Sequence, residues 1–414
     1  MILDLPKSAG KRNGKTRERL FDLVVIGGFG HVGLPLAVAF AAAGAKVCAY
    51  DIDEAAAQKL RRFSMPFIEA NCEHELRSAV EKGNLTISLD RDDVSRADMV
   101  IIIVGTPVDR HLNPDFEAMQ NLLDSYMDCL VDGQTLVLRS TVYPGTTEKI
   151  AQWIKDRGRG IHIAFCPERI AEGKALEELS SLPQIVSGCS PQAVHNAEKL
   201  FGCVASEVLI LEPIEAELAK LFNNAWRYMQ FAAANQFFMI ANDHNADFHR
   251  IHHAMTHNYP RAKSMPGAGF AAGPCLFKDT MQLAAFNNNN FSLGHAAMLI
   301  NEGLPNYIVN RLKQKHRLRC LSVGILGMAF KADIDDPRES LSYKLRKILA
   351  IECAQVLCSD AYICDPAFVS TQELLDRCDI VILATPHNDY HALAIPAGKT
   401  VVDVWNVWGR GSGL

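Results

Sequence analysis

The stretch LFDLVVIGGFGHVGLPLAVAFAAAG, Leu20 to Gly44, decides the fold. Leu23 to Ile26 is an unbroken apolar run and reads as a strand buried on both faces. It runs into a glycine turn, and LPLAVAFAAAG behind the turn reads as a helix ending at Gly44. The turn, Gly28-Phe29-Gly30-His31-Val32-Gly33, spells GxGxxG. Glycines there permit a tight turn and a close backbone approach to a pyrophosphate, whose charge the helix N-terminus stabilises. A second strand, KVCAYDID, follows, and it ends on Asp51, eighteen residues after Gly33. An acid in that place accepts hydrogen bonds from an adenosine ribose. Asp51-Ile52-Asp53-Glu54 contains no arginine to receive a 2′-phosphate, so the expected cofactor is NAD rather than NADP. The expected cofactor contacts here are Gly28, Gly30, His31, Val32, Gly33 and Asp51.

Working outward, the alternation continues through MVIIIVGTP, QTLVLRSTV, IHIAFCPE and PQIVSG, with helical stretches such as FEAMQNLLDSYMDCL and TTEKIAQWIKDR between them. Strand and helix in this order predict a doubly wound parallel sheet. Thr106-Pro107 and Ser140-Thr141 follow two of these strands, where strand carboxyl ends line the cofactor crevice. From Pro213 the chain reads IEAELAKLFNNAWRYMQFAAANQFFMIANDHN without glycine or proline, and Leu218, Leu221, Phe222, Ala225, Ala232 and Phe238 recur at helical spacing. Pro213 suits a first helical turn. A long central helix therefore opens a helical middle domain. The α/β pattern resumes at CLSVGILGMAF, AYICDP, DIVILATP and TVVDVW. The expected fold is α/β: two Rossmann-like doubly wound parallel-sheet domains, 20–211 and 313–414, joined by a central helix and helical domain, 212–312. The basic, polar residues 1–19 read as a flexible leader.

At 414 residues the chain is too long for one compact core. With 49% hydrophobic and 21% charged residues it has the composition of a globular protein. A net charge of −5 leaves no basic excess to cover phosphates, which excludes a nucleic-acid partner. No CxxC occurs among the twelve cysteines, and neither a metal site nor a disulfide framework is expected. Unpaired cysteines suit a reducing compartment, so a cytoplasmic location is expected. No apolar run is long enough to span a bilayer, so no membrane partner is expected.

Four further segments need one explanation: CPERIAEG (Cys166 to Gly173), ELAKLFNNAW (Glu217 to Trp226), GPCLFKD (Gly273 to Asp279) and GMAFKADIDDPRES (Gly327 to Ser340). With VIGGFGHVGLPLA in front, their set and order resemble the UDP-glucose/GDP-mannose dehydrogenase family of nucleotide-sugar 6-dehydrogenases, from about Leu23 to Trp408. The resemblance implies an N-terminal NAD domain, a dimer through the central helix, and a C-terminal domain for the nucleotide diphosphate. It also implies oxidation of a sugar C6 alcohol to a carboxylate, with two NAD reduced per product.

Such a reaction must hold the intermediate aldehyde, and a thiolate can do so by forming a thiohemiacetal that is oxidised to a thioester and hydrolysed. Cys275 matches the family's nucleophile. Lys220 and Asn224, four apart and on one helix face, match the pair that stabilises the oxygen that becomes negative. Asp279 matches an aspartate that supports the lysine or the hydrolytic water. Glu168 matches a general base that also contacts substrate, and Thr141 a residue that positions water. Glu172, Lys278 and Arg338 match residues on the cofactor side of the site. Gly273, Phe330 and Lys331 match substrate-binding positions, Lys331 at the diphosphate, and Arg261 matches an arginine that reaches the sugar across the dimer.

The chain departs from the pattern in places. Ala271-Ala272-Gly273-Pro274 stands where many members read a GFGGS run, and Trp405 stands where many have an arginine for the nucleotide. CPERIAEGKALEEL, HNYPR and INEGLP resemble the N-acetylated-sugar branch. The expected substrate is therefore a UDP-N-acetylhexosamine of ManNAc or GlcNAc type. UDP-glucose is the near alternative. A single-step hydroxyacid dehydrogenase and a non-catalytic nucleotide-sugar binder are the distant ones.

Overall fold

A computed structural model describes residues 11–12, 15–16, 18–105 and 116–414. Most of the leader expected over 1–19, and the expected cofactor contacts Thr106 and Pro107, lie outside the described residues. Lys11–Arg12 (β1) and Lys15–Thr16 (β2) form a short antiparallel pair. The chain divides into two compact units at Leu221/Phe222.

The first unit is built on an eight-stranded sheet. Its strands are β3 (Phe21–Ile26), β4 (Val47–Tyr50), β5 (Leu85–Ser88), β6 (Ala97–Ile102), β7 (Thr135–Leu138), β8 (His162–Phe165), β9 (Gln184–Gly188) and β10 (Val208–Ile210), in the order β10-β9-β8-β7-β6-β3-β4-β5. The connecting helices are α1 (Gly33–Ala42), α2 (Glu54–Leu60), α3 (Cys72–Glu81), α4 (Phe116–Tyr126), α5 (Thr146–Asp156), α6 (Ala175–Ser181) and α7 (Pro191–Phe201). Every residue of β4, β6 and β7 is buried, as continuous apolar strands covered on both faces must be. Neighbouring strands run parallel except β8 and β9, which pair antiparallel at Ala164/Gly188 and Phe165/Ser187. The parallel pattern read from the sequence thus has one reversal, at the strands that flank CPERIAEG. Leu23 pairs with Val47 on one side and Met99 on the other, so the strand order reverses beside β3. In an open α/β sheet that reversal opens the ligand crevice at the strands' carboxyl ends.

The 31-residue α8 (Pro213–Asp243) runs from the first unit into the second, with its proline in the first turn. It is followed by α9 (Phe248–Thr256), α10 (Leu276–Phe286) and α11 (Ser292–Lys315). A four-stranded parallel sheet then forms from β11 (Ser322–Leu326), β12 (Gln355–Ser359), β13 (Ile380–Leu383) and β14 (Thr400–Asp403), in the order β12-β11-β13-β14, with α12 (Leu341–Glu352) and α13 (Thr371–Arg377) between strands. Phe238, Leu304 and Ile308 of the helices share one core with Val323 and Ile325 of β11. The second strand of this sheet is not AYICDP, as the apolar run suggested, but Gln355–Ser359 just before it. The cause is Asp360: its carboxylate accepts from the amides of Tyr362 (2.8 Å) and Ile363 (2.9 Å) and turns the chain out of the sheet. Among the described residues no helix is long and apolar enough to cross a membrane.

Candidate active site

The β3–α1 turn fits a dinucleotide pyrophosphate. A Cβ on Gly28 would lie 2.9 Å from the Ala49 Cα and the Tyr50 nitrogen of β4, and one on Gly33 would lie 2.0 Å from the Gly27 carbonyl oxygen. Only glycine allows the turn to pack this closely. Above exposed Gly30 there is room, since its nearest neighbour would be the Gly27 oxygen at 3.7 Å. Asp51, at the end of β4, accepts from the Phe29 amide (3.1 Å) and the Ile52 amide (2.8 Å), which fixes its carboxylate beside the turn with lone pairs to spare for a ribose. Val32 precedes α1, and His31 stacks on Phe67 with ring centroids 4.1 Å apart. Ser140 Oγ accepts from the Val104 amide (3.1 Å) and donates to the Val104 carbonyl (2.6 Å). Its hydroxyl therefore ties the ends of β6 and β7 together, and half-buried Thr141 follows it.

The segment after β8 is held by groups that sequence patterns did not single out. Glu168 Oε1 accepts from the Arg169 (2.6 Å) and Ile170 (2.8 Å) amides, while Oε2 pairs with Arg139, which is buried to 1% exposure at the end of β7. Buried Glu69 caps α6 by accepting from Gly173 (2.8 Å) and Ala175 (2.7 Å), which anchors the loop that carries Glu172. Glu172 is half-buried, with a carboxylate oxygen within 4.8 Å of a His31 ring nitrogen. Glu217, near the start of α8, accepts from Gly145 (2.5 Å) and from the amide and hydroxyl of Thr147 (2.8 and 2.6 Å), so it caps α5. Burial raises its pKa against these opposing hydrogen bonds. Lys220 is buried one turn further along α8.

In the second unit the structure brings three of the expected residues together. Cys275 is exposed and sits at the N-cap of α10, its carbonyl accepting from the Asp279 amide at 2.9 Å. Asp279 is fully buried, and its Oδ2 accepts from Asn224 Nδ2 at 2.6 Å, which joins α10 to α8. Lys278 is half-buried beside it. Buried Cys72 and Cys166 differ in kind, because burial pushes both thiols up to about 12.

The loop leading to Cys275 is pinned twice. Asn235 on α8, fully buried, donates to the Gly269 carbonyl (3.0 Å) and accepts from its amide (2.9 Å). Trp405 packs on the same glycine: a Cβ there would meet its ring carbons at 2.3 to 2.5 Å. The Trp405 indole is thus a brace for the loop, held by its Nε1 donating to Ala384 at 2.9 Å. Gly273 has φ +104°, and a Cβ on it would lie 2.6 Å from the Phe330 ring.

Phe330 and Lys331 lie in the turn after β11. Asp360 sits beneath that turn, accepting from Met328 (2.5 Å) and Ala329 (3.0 Å), and His387 Nε2 faces it at 3.1 Å. Arg338 is exposed and turns back on Asp336, with its Nε 2.7 Å from Oδ2. Arg261 is also exposed, its guanidinium 5.7 Å from the Tyr259 ring centroid.

The first unit offers a turn shaped for a dinucleotide, and the second, with its own parallel sheet, an exposed thiol one helical turn from a buried Asn-Asp pair. Residues 22–204 match the NAD binding domain of the UDP-glucose/GDP-mannose dehydrogenase family, 214–303 its central domain and 324–410 its UDP binding domain, and the chain belongs to that family. It is 28% identical over 383 residues to a UDP-N-acetyl-D-mannosamine dehydrogenase of Pyrococcus horikoshii, covering 89% of this chain and 90% of that one. The solved UDP-D-ManNAc dehydrogenase structure from P. horikoshii superposes with a TM-score of 0.85 at 26% identity, covering 93% of this chain and 95% of that one. A UDP-glucose dehydrogenase structure from Pyrobaculum islandicum gives 0.84 at 28% identity, covering 93% and 94%. The match of 324–410 to a UDP binding domain sets aside the single-step hydroxyacid dehydrogenase, which has no use for such a domain.

Proposed function

We propose that the chain oxidises the C6 alcohol of a UDP-N-acetylhexosamine, of ManNAc or GlcNAc type, to the uronate, as a precursor for polysaccharide synthesis. The observation that carries the reading is the exposed Cys275 thiol at the start of α10, one helical turn from the buried Asp279–Asn224 pair. The β3–α1 turn and Asp51 would hold NAD, which would supply the hydride acceptor for both oxidations.

The chain's own residues do the rest. Asn224 and Lys220 donate to the sugar oxygen as it becomes negative. Cys275 Sγ bonds to the aldehyde carbon, and the helix N-terminus behind it favours anionic sulfur. The resulting thiohemiacetal becomes a thioester on the second oxidation. Water, positioned by Thr141 with Glu168 as base, then adds to the acyl carbon. The C–S bond breaks, leaving the carboxylate and the thiol. Asp279 orients Asn224. Gly273, Phe330, Lys331 and Arg261 bind the substrate, and Glu172, Lys278 and Arg338 serve the cofactor side.

In this reading 20–211 is the NAD domain, 212–312 the dimerisation domain and 313–414 the nucleotide-sugar domain. The protein is a cytoplasmic homodimer. Exposed Phe222, Trp226, Phe237 and Ile240 support the dimer, because they fall within about 60° of one face of α8. The sugar assignment is supported by the name of the P. horikoshii relative. UDP-glucose is the second reading, supported by the P. islandicum structure. A panel of UDP-sugars, with NADH counted per sugar consumed, tests both. Two NADH per UDP-ManNAc or UDP-GlcNAc are expected. A preference for UDP-glucose would overturn the sugar, and one NADH per product would overturn the four-electron reaction.

A further inference from the structure

We infer that Arg139 is the positioning residue for Glu168, and that thioester hydrolysis depends on it. The inference rests on the reading above for the role of Glu168, and on geometry for the rest. Arg139 closes β7, ahead of Ser140 and Thr141, with its side chain wholly buried. A buried guanidinium cannot shed its proton, so it must find anionic or carbonyl partners inside the protein. It finds three kinds. Nη2 pairs with Glu168 Oε2, Nη1 donates to the Cys166 carbonyl (3.0 Å) and to Gln184 Oε1 (3.1 Å), and the guanidinium carbon lies 4.9 Å from the Phe201 ring centroid. Cys166 and Glu168 belong to the same CPERIAEG segment, so one side chain grips both ends of its first turn. Glu168 Oε1 meanwhile accepts from the Arg169 and Ile170 amides. The carboxylate is thereby fixed from three sides before any substrate arrives, which is the preorganisation a base needs if water is to be attacked from a set direction.

Arg139 touches no reacting atom in this account; it acts through Glu168. Removing it frees the carboxylate to rotate and loosens the turn. Two measurements on the full chain decide the matter. The first is amide hydrogen exchange in Arg139→Gln, where Arg169 and Ile170 are expected to exchange about tenfold faster while β7 stays protected. Unchanged protection of both amides would overturn the grip. The second is single-turnover oxidation of UDP-N-acetyl-D-mannosamine with NAD. Arg139→Gln is expected to accumulate acyl-Cys275, seen by mass spectrometry, with hydrolysis slowed about 10²-fold and KM for both substrates little changed. Arg139→Lys should recover part of the rate. Should Arg139→Gln fold poorly, the Arg139→Gln/Glu168→Gln pair removes both charges and is compared with Glu168→Gln alone. Equal rates are expected, and a further loss in the double variant would show that Arg139 does not act through Glu168. If wild type yields no NADH with any UDP-sugar, the functional reading fails, while the exchange measurement still decides Arg139.

Discussion

Asn224 donates to the fully buried carboxylate of Asp279 across 2.6 Å, and this one bond joins the central helix to the helix that Cys275 begins. The two residues are 55 positions apart in sequence. Replacing Asp279 by Ala strands a buried amide, which costs about 1–3 kcal/mol. For a unit of this size that is a drop in Tm of about 3–10 °C. Asn224 would also lose its orientation, so kcat is expected to fall about 10²-fold or more. Asn224→Asp should be worse than Asn224→Ala, since it sets two carboxylates side by side. Thermal melts and steady-state kinetics check this. A melt and a kcat that match wild type in Asp279→Ala would remove the pair from both roles.

Cys275→Ser keeps the size of the side chain but supplies a much weaker nucleophile. Uronate formation is expected to be lost, with any aldehyde released rather than held, while UDP-sugar and NAD still bind. Iodoacetamide should label Cys275 ahead of Cys72 and Cys166, whose thiols burial raises to about 12. Full uronate production by the serine variant would end the thioester route.

The cofactor turn was legible because its signals are local: strand, glycines, helix and acid all fall between Leu23 and Asp51. The candidate catalytic residues were legible only through the family resemblance, since no spacing rule predicts a bond from Asn224 to Asp279. The supports were not legible at all. Glu69 reaches Gly173 across 104 residues, and Arg139 looks like one charge after an apolar run until burial shows that it must be paired. AYICDP misled because apolar content was read without Asp360, whose side chain competes for the backbone amides that a strand would use.

Asp51 holds the Phe29 amide, and it is the acceptor proposed for the adenosine ribose. Asp51→Ala removes an acceptor from both. KM for NAD is expected to rise about tenfold or more, and discrimination against NADP to relax, because the carboxylate no longer repels a 2′-phosphate. Measuring kcat/KM for both cofactors tests this, and an unchanged ratio would take Asp51 out of cofactor choice.

Trp226 stands 60% exposed on α8, in line with Phe222, Phe237 and Ile240. A single face of this kind suits a self-complementary interface between two copies. Trp226→Glu is expected to shift the protein from dimer to monomer at micromolar concentration, read by analytical ultracentrifugation. Wild type sedimenting as a monomer would reject the dimer outright.

The turn that carries Phe330 and Lys331 makes a prediction about acid stability. Burial alone would raise the pKa of Asp360, but hydrogen bonding to His387 and to the Met328 and Tyr362 amides outweighs it and lowers the carboxyl to about 2. His387 Nδ1 accepts from the Asp333 amide at 2.9 Å, so Nε2 carries the proton that faces Asp360. A carboxyl that titrates lower in the folded state than in the unfolded chain, where it lies near about 3.9, adds stability above the unfolded value. That contribution is lost as pH falls from about 4 through about 2. The gap corresponds to about 2.5 kcal/mol. Asp360→Asn is therefore expected to be less stable than wild type by about that much at pH 7, with the two curves converging as pH approaches 2. Denaturant melts of both proteins between pH 7 and pH 2.5 give the answer, and a difference that stays constant across the range would mean that the Asp360 charge does not hold the turn.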